Sequence, residues 1–412
     1  VGTKGSDFTS LADAINHINP TFAISMDSTT TITSAGLFYK NLDGVIIQAA
    51  SGIQANTTVT YVDDSTLTLS QTATATQVID AKFIVSSETN PFTVMIGPGV
   101  FYEDTVHIES HISVYGAGGE MTTLKPNTAA ATFLHMHNHT SLRYVTITEA
   151  NGVGGLAIHI EANAENVDIG ECEFIDCETM IKIIPSTIKQ DVSIAHNKFV
   201  SPFVDCLVID GTVGADAVVL YDSNYHEIES NVGDIIRCYG SSVKLNITNI
   251  MVDNNGFTYR GINVYDGATV IMNTCVFLSP DTGVYVPLIG AAPTLSINDT
   301  TFINSTTYDI NVEHTTAYGS INTTIDDTKI SVLSPNINMF YQDLVGSNAI
   351  TMIGTLNFGK TVSSATNVSD LLNDCQMMGL VNGGVLAVNG GLDIDISAGY
   401  GYCATGTIPN HN

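Results

Sequence analysis

Apolar and aromatic residues recur along this chain at nearly constant intervals of 25 to 28 residues. The eight positions are Ile147, Phe174, Phe199, Tyr225, Ile250, Phe277, Phe302 and Ile330. The residues seven and five positions before each of the last seven are mostly apolar as well, as Val192 and Ile194 are before Phe199. A fixed period of this length predicts a solenoid in which each copy of the phrase forms one coil.

The spacing inside each copy favours β coils over helical ones. The Val-x-Ile alternation has the two-residue period of a strand, and no copy contains an amphipathic helical run. One coil of a three-sided β solenoid takes about 25 residues. We therefore predict an all-β fold, a right-handed parallel β-helix with coils about 4.8 Å apart and the recurring residues stacked inside. Small or polar residues precede the last seven anchors by two positions and are expected to stack at the turns: Cys172, Asn197, Ser223, Thr248, Cys275, Thr300 and Thr328.

The charge of the chain argues against one class of partner. The formal net charge is −28, from 41 acidic and 13 basic residues. Nucleic acid is not expected as a partner, because contacts with phosphates need clustered Lys and Arg. Membrane insertion is not expected either, because no apolar run approaches about 18 residues. The acidity fits a soluble protein in an ion-rich or extracellular setting, and equally an ordinary acidic surface.

Four segments are predicted along the chain. Residues 1–20 are expected to form an N-terminal cap, because Ser10 precedes a helical spacing of apolar residues that starts at Leu11. Such a cap covers the unpaired backbone and the apolar core at the open end of a β-helix. Residues 21–90 are predicted to be an inserted small β module, residues 91–333 the parallel β-helix, and residues 334–412 a C-terminal β unit for docking or oligomerisation.

Three phrases near the N-terminus carry a resemblance to a known superfamily. They are SDFTSLADAI, TVMIGPGVFYEDTVHI and ISVYGAGGEMTTL. Together they resemble the opening of pectin-lyase-like right-handed β-helix proteins, pectin methylesterases included. The inserted phrase GIQANTTVTYVDDSTLTLSQTATAT is similar to small β modules in virion proteins of phages and large DNA viruses. This resemblance implies a fibre or spike protein of a virion.

The resemblance does not extend to the catalytic motifs of the superfamily. The Gln-x-x-Ala-Leu and Gly-Arg-Pro-Trp segments of the esterases are missing, and the chain contains no Trp. The motifs of polygalacturonase-like enzymes are missing too. A pectate lyase needs an acidic Ca²⁺ cluster and a catalytic Arg, and the available arginines Arg143, Arg237 and Arg260 lie among acidic neighbours.

A tailspike-like glycosidase needs only two carboxylates about 5 to 9 Å apart. Equal positions of adjacent coils lie about 4.8 Å apart, so acids of the middle coils satisfy this distance by stacking alone. The catalytic candidates on this hypothesis are Asp205, Asp210, Glu227 and Asp234. A solvated acidic face explains the same residues without chemistry. Glycan binding needs no catalytic motif, and 16 Tyr are available to stack on sugars.

Three histidines alternate in the phrase FLHMHNHTSLRY, namely His135, His137 and His139. Alternate residues of a strand share one face, so we expect the three imidazoles to project together. Three ligands on one extended strand span too great a distance for a single ion. A transition-metal site therefore needs two of them with a ligand from another coil or subunit, and a polar face with His paired to acids is the alternative. No other cofactor is expected.

Two functions follow from these observations. The first is a non-enzymatic structural or adhesive protein of a virion surface, or of an extracellular surface, with other virion proteins and host-surface glycans as partners. The second is a polysaccharide depolymerase, a glycosidase or lyase that uses paired carboxylates of the β-helix. By analogy with viral β-helices, a homotrimer is expected.

Overall fold

The fold is given by a computed structural model. It describes residues 8–34, 38, 40–128, 132–185, 189–212, 216–229, 232–254, 256–326, 330–332, 337–345, 348–352 and 375–377. The predicted parallel β-helix is confirmed, since three parallel sheets wind around one apolar core. In the first nine coils the chain passes through them in the order sheet I, sheet II, sheet III, and neighbouring strands of each sheet come from successive coils. The described coils thus form the parallel β solenoid that the sequence period predicts.

Sheet I begins with the strand that follows the inserted module. Its strands are β7 (Phe92–Met95), β10 (Ile112–Tyr115), β13 (Ser141–Arg143), β16 (Val167–Gly170), β19 (Gln190–Ala195), β22 (Ala217–Asp222), β25 (Val243–Thr248), β28 (Thr269–Asn273), β31 (Thr294–Asn298), β34 (Tyr318–Asp326) and β36 (Ile337–Val345). Sheet II consists of β8 (Gly99–Glu103), β11 (Thr122–Pro126), β14 (Thr146–Thr148), β17 (Glu173–Ile175), β20 (Lys198–Val200), β23 (Tyr225–Ile228), β26 (Met251–Asn254), β29 (Val276–Leu278) and β32 (Thr301–Ile303).

Sheet III forms the third side of the β-helix. Its strands are β9 (Val106–Ile108), β12 (Thr132–Met136), β15 (Leu156–Ile160), β18 (Thr179–Ile183), β21 (Asp205–Asp210), β24 (Asp234–Tyr239), β27 (Arg260–Tyr265), β30 (Thr282–Val286), β33 (Tyr308–Val312), β35 (Ile330–Val332), β37 (Asn348–Met352) and β38 (Cys375–Met377). Alternate residues of these strands are buried in the common core, as the two-residue period predicts.

The predicted interior stack forms along sheet II. Ile147, Phe174 and Phe199 are aligned in successive coils and fully buried. The rings of Phe174 and Phe199 are parallel, with centroids 5.0 Å apart. Farther along, Phe277 and Phe302 are aligned in the same way, with centroids 5.3 Å apart.

Two coils in the middle of this stack depart from the predicted register. Phe199 is aligned with His226 rather than Tyr225, and His226 is aligned with Val252 rather than Ile250. Tyr225 and its neighbour His226 point to opposite faces, as neighbouring residues of a strand do. The histidine is therefore fully buried and Tyr225 faces outward. The predicted pattern placed an aromatic residue inside, whereas this coil is longer and brings a polar ring into the core.

Sheet I shows the same one-residue difference. Val192 is aligned with Val219, and Ile194 with Tyr221, so Leu220 points outward with 47% of its surface exposed. The last predicted anchor, Ile330, lies in sheet III, where it is aligned with Ile310 of the preceding coil. The predicted period is therefore an average over coils of unequal length.

The turn from sheet I to sheet II is built in the same way in successive coils. One residue with positive φ reverses the chain direction, in the left-handed region that Asn and Asp tolerate best. These residues are Tyr144, Glu171, His196, Ser223, Asn249, Thr274 and Asp299. The next residue is buried, and at Asn197 and Asn224 its side chain joins coils. Asn224 Oδ1 accepts from the Asn197 N–H at 2.9 Å, and Asn197 Oδ1 accepts from the Cys172 N–H at 3.0 Å.

The predicted stacking of the residues at these turns is confirmed at Cys172, Asn197, Cys275 and Thr300, which are all buried. At the two coils with a different register, Asn224 and Ile250 occupy the turn instead of Ser223 and Thr248. Thr328 lies outside the described residues.

A helix covers the first coil, as predicted. Helix α1 (Leu11–Ile18) is capped by Ser10, whose Oγ accepts from the Asp13 N–H at 3.0 Å. Its buried residues, Leu11 among them, join the core of the β-helix. The carboxylate of Glu103, from sheet II, is buried and accepts from the Leu11 N–H at 2.5 Å. One orphan donor of the first helical turn is thus satisfied from the β-helix itself.

Replacement of Glu103 by alanine is expected to lower the free energy of unfolding by about 1–2 kcal/mol, because a capping acceptor is lost and a backbone donor remains buried. Urea denaturation followed by circular dichroism measures the change. Glu120→Ala, at an exposed position, is the control and is expected to change stability by less than about 0.5 kcal/mol. Equal effects of the two substitutions would show that the contact with the helix contributes nothing.

The stretch between α1 and the first coil forms an antiparallel sheet with its own core. Its strands are β1 (Thr21–Asp27), β2 (Thr31–Thr33), β3 (Ile46–Ala49), β4 (Val59–Asp63), β5 (Thr66–Leu69) and β6 (Thr76–Ile84), and a 3-10 turn spans Lys40–Leu42. Phe38, Phe83 and Leu67 lie in a cluster of buried residues distinct from the main core. An ion pair between Lys82 and Glu109 links the two parts.

The predicted C-terminal unit, residues 334–412, lies largely outside the described residues. Within it the structure describes β36, β37 and β38, which extend sheets I and III. The bounds of the four segments stay predictions. Within the described ranges, every helix is too short or too polar to cross a bilayer.

Candidate functional site

One position of sheet III is polar in all but one of its successive coils, and we call this series of residues the outer row. Parallel pairing aligns one outward residue from each of nine successive coils. The row consists of His107, His135, His159, Lys182, Val208, Arg237, Asn263, Tyr285 and Asn311. Two clusters of titratable groups lie along it, one at the histidines and one around Arg237.

The first group, which we call the histidine cluster, contains His107, Glu109, His135, His137, His159 and Glu161. His107 and His135 stack with ring centroids 4.4 Å apart and planes 14° apart. Nδ1 of His107 lies 3.4 Å from Nε2 of His137. The cluster therefore joins three coils through their imidazoles.

Glu161 contacts two imidazoles of the histidine cluster. Nδ1 of His135 lies 2.5 Å from Oε1 of Glu161, and Nδ1 of His159 lies 3.6 Å from the same oxygen. Burial alone would raise the pKa of Glu161, but the hydrogen bond from His135 and the neighbouring imidazoles lower it overall. Burial also lowers the pKa of His107, His137 and His159, which favours neutral imidazoles with a free ring nitrogen.

The three histidines predicted to share one face lie in different places. The strand ends at Met136, so His135 points outward from it while His137 follows in the turn. His139 has a positive φ of 54° and stacks on His111, with ring centroids 4.7 Å apart. The structure thus groups His135 and His137 with histidines of other coils and places His139 apart from them.

The second group, which we call the Asp–Arg cluster, contains Asp205, Asp234, Arg237, Arg260 and Asn263. Arg237 joins two coils, because its Nη2 lies 2.5 Å from Oδ2 of Asp205 and its Nε lies 3.5 Å from Oδ2 of Asp234. Nε of Arg260 lies 2.7 Å from Oδ1 of Asp234. Nδ2 of Asn263 donates to Oδ2 of the same aspartate at 3.0 Å.

Burial differs sharply between the two signs of charge in the Asp–Arg cluster. The side chains of Asp205 and Asp234 are 3% exposed, whereas those of Arg237 and Arg260 are 33% and 39% exposed. Burial raises the pKa of Asp205 against the lowering effect of Arg237. Oδ1 of Asp205 has no hydrogen-bond partner among the described residues. The acids therefore hold the guanidinium groups, and the guanidinium groups face the solvent.

Three tyrosines border the Asp–Arg cluster. Tyr239 and Tyr265 are parallel, with ring centroids 4.8 Å apart and planes 8° apart. Arg260 lies over the ring of Tyr285, 5.5 Å from its centroid, in a cation–π contact. The outer face of sheet III thus presents aromatic rings and guanidinium groups side by side.

A separate open groove of about 840 Å³ lies at the turns that lead into sheet II. Its lining includes Glu120, Glu171, Glu173, His196, Lys198 and Tyr225. Nζ of Lys198 lies 3.3 Å from Oε1 of Glu173 and 3.2 Å from Oε2 of Glu227. This lysine joins acids of the coils on either side of it, as Arg237 does on sheet III.

The four predicted catalytic carboxylates do not form one site. Asp205 and Asp234 meet at Arg237, and Asp210 lies at the end of the same sheet III strand as Asp205, where it accepts from the Thr212 hydroxyl at 2.7 Å. Glu227 lies in sheet II, on another side of the β-helix. Substitutions at Asp205 and at Glu227 therefore test two different faces of the molecule.

Neither family models nor curated proteins match the chain. Solved structures of glucanases do show a distant similarity. The catalytic unit of a thermostable GH87 alpha-1,3-glucanase from Streptomyces thermodiastaticus strain HF3-3 is 12% identical over 82% of this chain and 80% of that one, with a TM-score of 0.46. A GH87 alpha-1,3-glucanase catalytic domain in complex with tetrasaccharides is 11% identical over 90% and 81%, with a TM-score of 0.38. Both TM-scores are below 0.5, so the fold rests on the sheets described above.

Sequence analysis missed most partners of the residues that it selected. His107, His135 and His159 occupy one position of three successive coils, at intervals of 28 and 24 residues. That spacing is a signal in the sequence, but our pattern followed only the apolar positions. Arg237 and Arg260 were identified among acidic neighbours, whereas their ion pairs depend on the register of sheet III.

Proposed function

We propose that this protein binds a polysaccharide along the outer face of sheet III. The observation that carries the proposal is the row of half-buried tyrosines and guanidinium groups of the Asp–Arg cluster, held in place by buried acids. Rings with a polar tip offer apolar area and hydrogen bonds together, which suits the apolar faces and hydroxyl groups of sugars. Tyr239 and Tyr265 occupy the same position of two adjacent coils, so successive sugars of one chain can contact both rings.

The charge balance of the outer row supports this ligand class. In the Asp–Arg cluster two aspartates compensate two arginines, so the cluster itself is neutral although the chain carries a net charge of −28. A neutral or weakly acidic glycan meets no strong repulsion there. Because the aspartates fix the guanidinium groups before any ligand arrives, less conformational entropy is lost on binding.

Replacement of Tyr265 by alanine is expected to weaken polysaccharide binding about fivefold, because a lost aromatic contact costs about 1 kcal/mol. Affinity electrophoresis against a panel of neutral and acidic polysaccharides measures the change. The matched control is Tyr225→Ala, which removes the same side chain from the outer face of sheet II. Equal weakening by both substitutions, or no binding by the unaltered protein, would contradict the proposal.

Cleavage of the bound glycan is the second candidate function. Asp205 and Asp234 are aligned in adjacent coils and contact the same guanidinium, and the coil spacing of about 4.8 Å is close to the separation of about 5–5.5 Å between the carboxyl groups of retaining glycosidases. Burial raises the pKa of Asp205, which favours the role of a general acid. The other carboxylate then has the role of base or nucleophile.

The test of cleavage is the release of reducing ends from each polysaccharide that binds. If the Asp205–Asp234 pair is catalytic, Asp205→Asn abolishes the release while Glu227→Gln, on sheet II, leaves it unchanged. Binding without release in the unaltered protein would leave a purely adhesive role. Thermal unfolding of each variant shows whether it remains folded.

For the biological setting, we propose the surface of a virion or another extracellular surface. The similarity of the inserted module to small β modules of virion proteins supports this setting. Other virion proteins and host-surface glycans are then the partners, and assembly as a homotrimer is part of the same proposal. Light scattering coupled to size-exclusion chromatography measures the number of chains, and a monomer would contradict the trimer.

A further inference from the structure

We propose that the histidine cluster binds a transition-metal ion of the Zn²⁺ class. Two sets of three ligands are present, His107 with Glu109 and His137, and His135 with His159 and Glu161. In each set the three ligand atoms lie within 4.8 Å of one another. Imidazole and carboxylate groups are ordinary ligands of zinc, and three protein ligands leave a fourth position open. This inference does not depend on the proposed polysaccharide binding.

The geometry of the first set is close to that of a tetrahedral site. Two nitrogens bound to zinc at about 2.0–2.1 Å lie about 3.3 Å apart. Nδ1 of His107 and Nε2 of His137 are 3.4 Å apart. Glu109 is paired with Lys82, whose side chain is 27% exposed and can turn to solvent when the carboxylate coordinates an ion.

In the second set, Glu161 lies beside two imidazoles. The nitrogen of His159 that faces Glu161 is Nδ1, so Nδ1 is the atom placed to bind an ion, and the proton of the neutral ring is then on the buried Nε2. Oε1 of Glu161 lies within 3.6 Å of both imidazoles of its set.

Backbone pairing and ring stacking hold the histidines of the cluster in place before an ion binds. His107, His135 and His159 are fixed by backbone pairing of three adjacent coils, and the stacking of His107 on His135 restricts their rings. The ligands come from three successive coils, in which equivalent histidines follow one another at 28 and 24 residues. Binding therefore joins coils through their side chains, and it requires neither a loop movement nor a second subunit.

The experiment measures zinc uptake by the full chain after treatment with EDTA. Isothermal titration with ZnCl₂ is expected to show saturable binding, and Co²⁺ is expected to give the visible absorption of a tetrahedral site. The variant His137→Ala/His159→Ala removes one ligand from each set and is expected to weaken zinc binding by about 10- to 100-fold. Metal analysis after dialysis gives the number of ions per chain.

The matched control is His111→Ala/His139→Ala. It removes a stacked histidine pair from the same part of the β-helix and is expected to leave the titration unchanged. If the first variant does not fold by circular dichroism, Glu109→Gln/Glu161→Gln replaces it with nearly equal volume. The proposal is overturned if the unaltered protein takes up no zinc, if the ligand variants bind as the unaltered protein does, or if the control loses binding equally.

Discussion

Replacement of Arg237 by alanine is expected to lower the free energy of unfolding by about 3 kcal/mol, because it leaves a buried carboxylate without its partner. The side chain of Asp205 is 3% exposed, and Arg237 contacts it at 2.5 Å. The same substitution removes a contact with Asp234, which lies in the same strand as Arg237. Urea denaturation at pH 7, followed by circular dichroism, gives the free energy of unfolding.

Two further variants test the cause of this loss. Arg143→Ala is the matched control, because its partners Asp168 and Glu171 are 30% and 43% exposed, and exposed ion pairs contribute at most about 1 kcal/mol. The double variant Asp205→Asn/Arg237→Ala removes the uncompensated charge and is expected to recover part of the stability. Equal losses for Arg237→Ala and Arg143→Ala would show that burial of the aspartate is not the cause.

The protein is expected to lose on the order of 4 kcal/mol of stability through His226 alone as the pH falls from about 6.5 to 3. Burial lowers the pKa of this imidazole to about 3, whereas the unfolded chain titrates near 6.5. Between these values the unfolded state binds a proton that the folded state does not. The contribution is therefore fully present above about pH 6.5 and is lost as the pH falls towards the folded pKa.

The variant His226→Phe separates this effect from the titration of carboxylates. It preserves the stack on Phe199, whose ring centroid lies 4.9 Å from that of His226. It leaves the Tyr221 hydroxyl, 3.0 Å from Nε2 of His226, without its partner, at a cost of about 1–3 kcal/mol that does not depend on pH. Stability curves from pH 7 to 4 are expected to fall less steeply for the variant. Parallel curves would contradict the assignment.

The same histidine shows how far the sequence predicts this fold. A stacked interior depends on side-chain volume and on a period near 25 residues, and both can be recognised at Phe174, Phe199 and Phe277. The one-residue shift of register at Tyr225 cannot be recognised from the apolar pattern alone, because Tyr225, next to His226, satisfies the pattern equally well. The structure assigns the position because parallel pairing aligns Phe199 with His226.

The residue types of the candidate site could be predicted from the sequence, whereas the grouping of these residues into clusters could not. Asp205 and Asp234 were selected because stacked acids meet across coils, and they do meet, at a shared guanidinium. Glu227 belongs to the same stretch of sequence but lies in sheet II, since a three-sided coil changes its face every few residues. His135 and His159 are close because they occupy the same position of adjacent coils. The close approach of His107 and His137 follows instead from the turn after Met136.

Because each strand pairs only with strands of neighbouring coils, one coil can be added or removed as a unit. Duplication or deletion of one coil, about 25 residues of coding sequence, leaves the cross-section of the core and the alignment of every remaining row intact. It changes one quantity, the separation of the histidine cluster from the Asp–Arg cluster, in steps of about 4.8 Å. An engineered chain with one coil more or fewer between the two clusters is therefore expected to change their separation without altering the residues of either cluster.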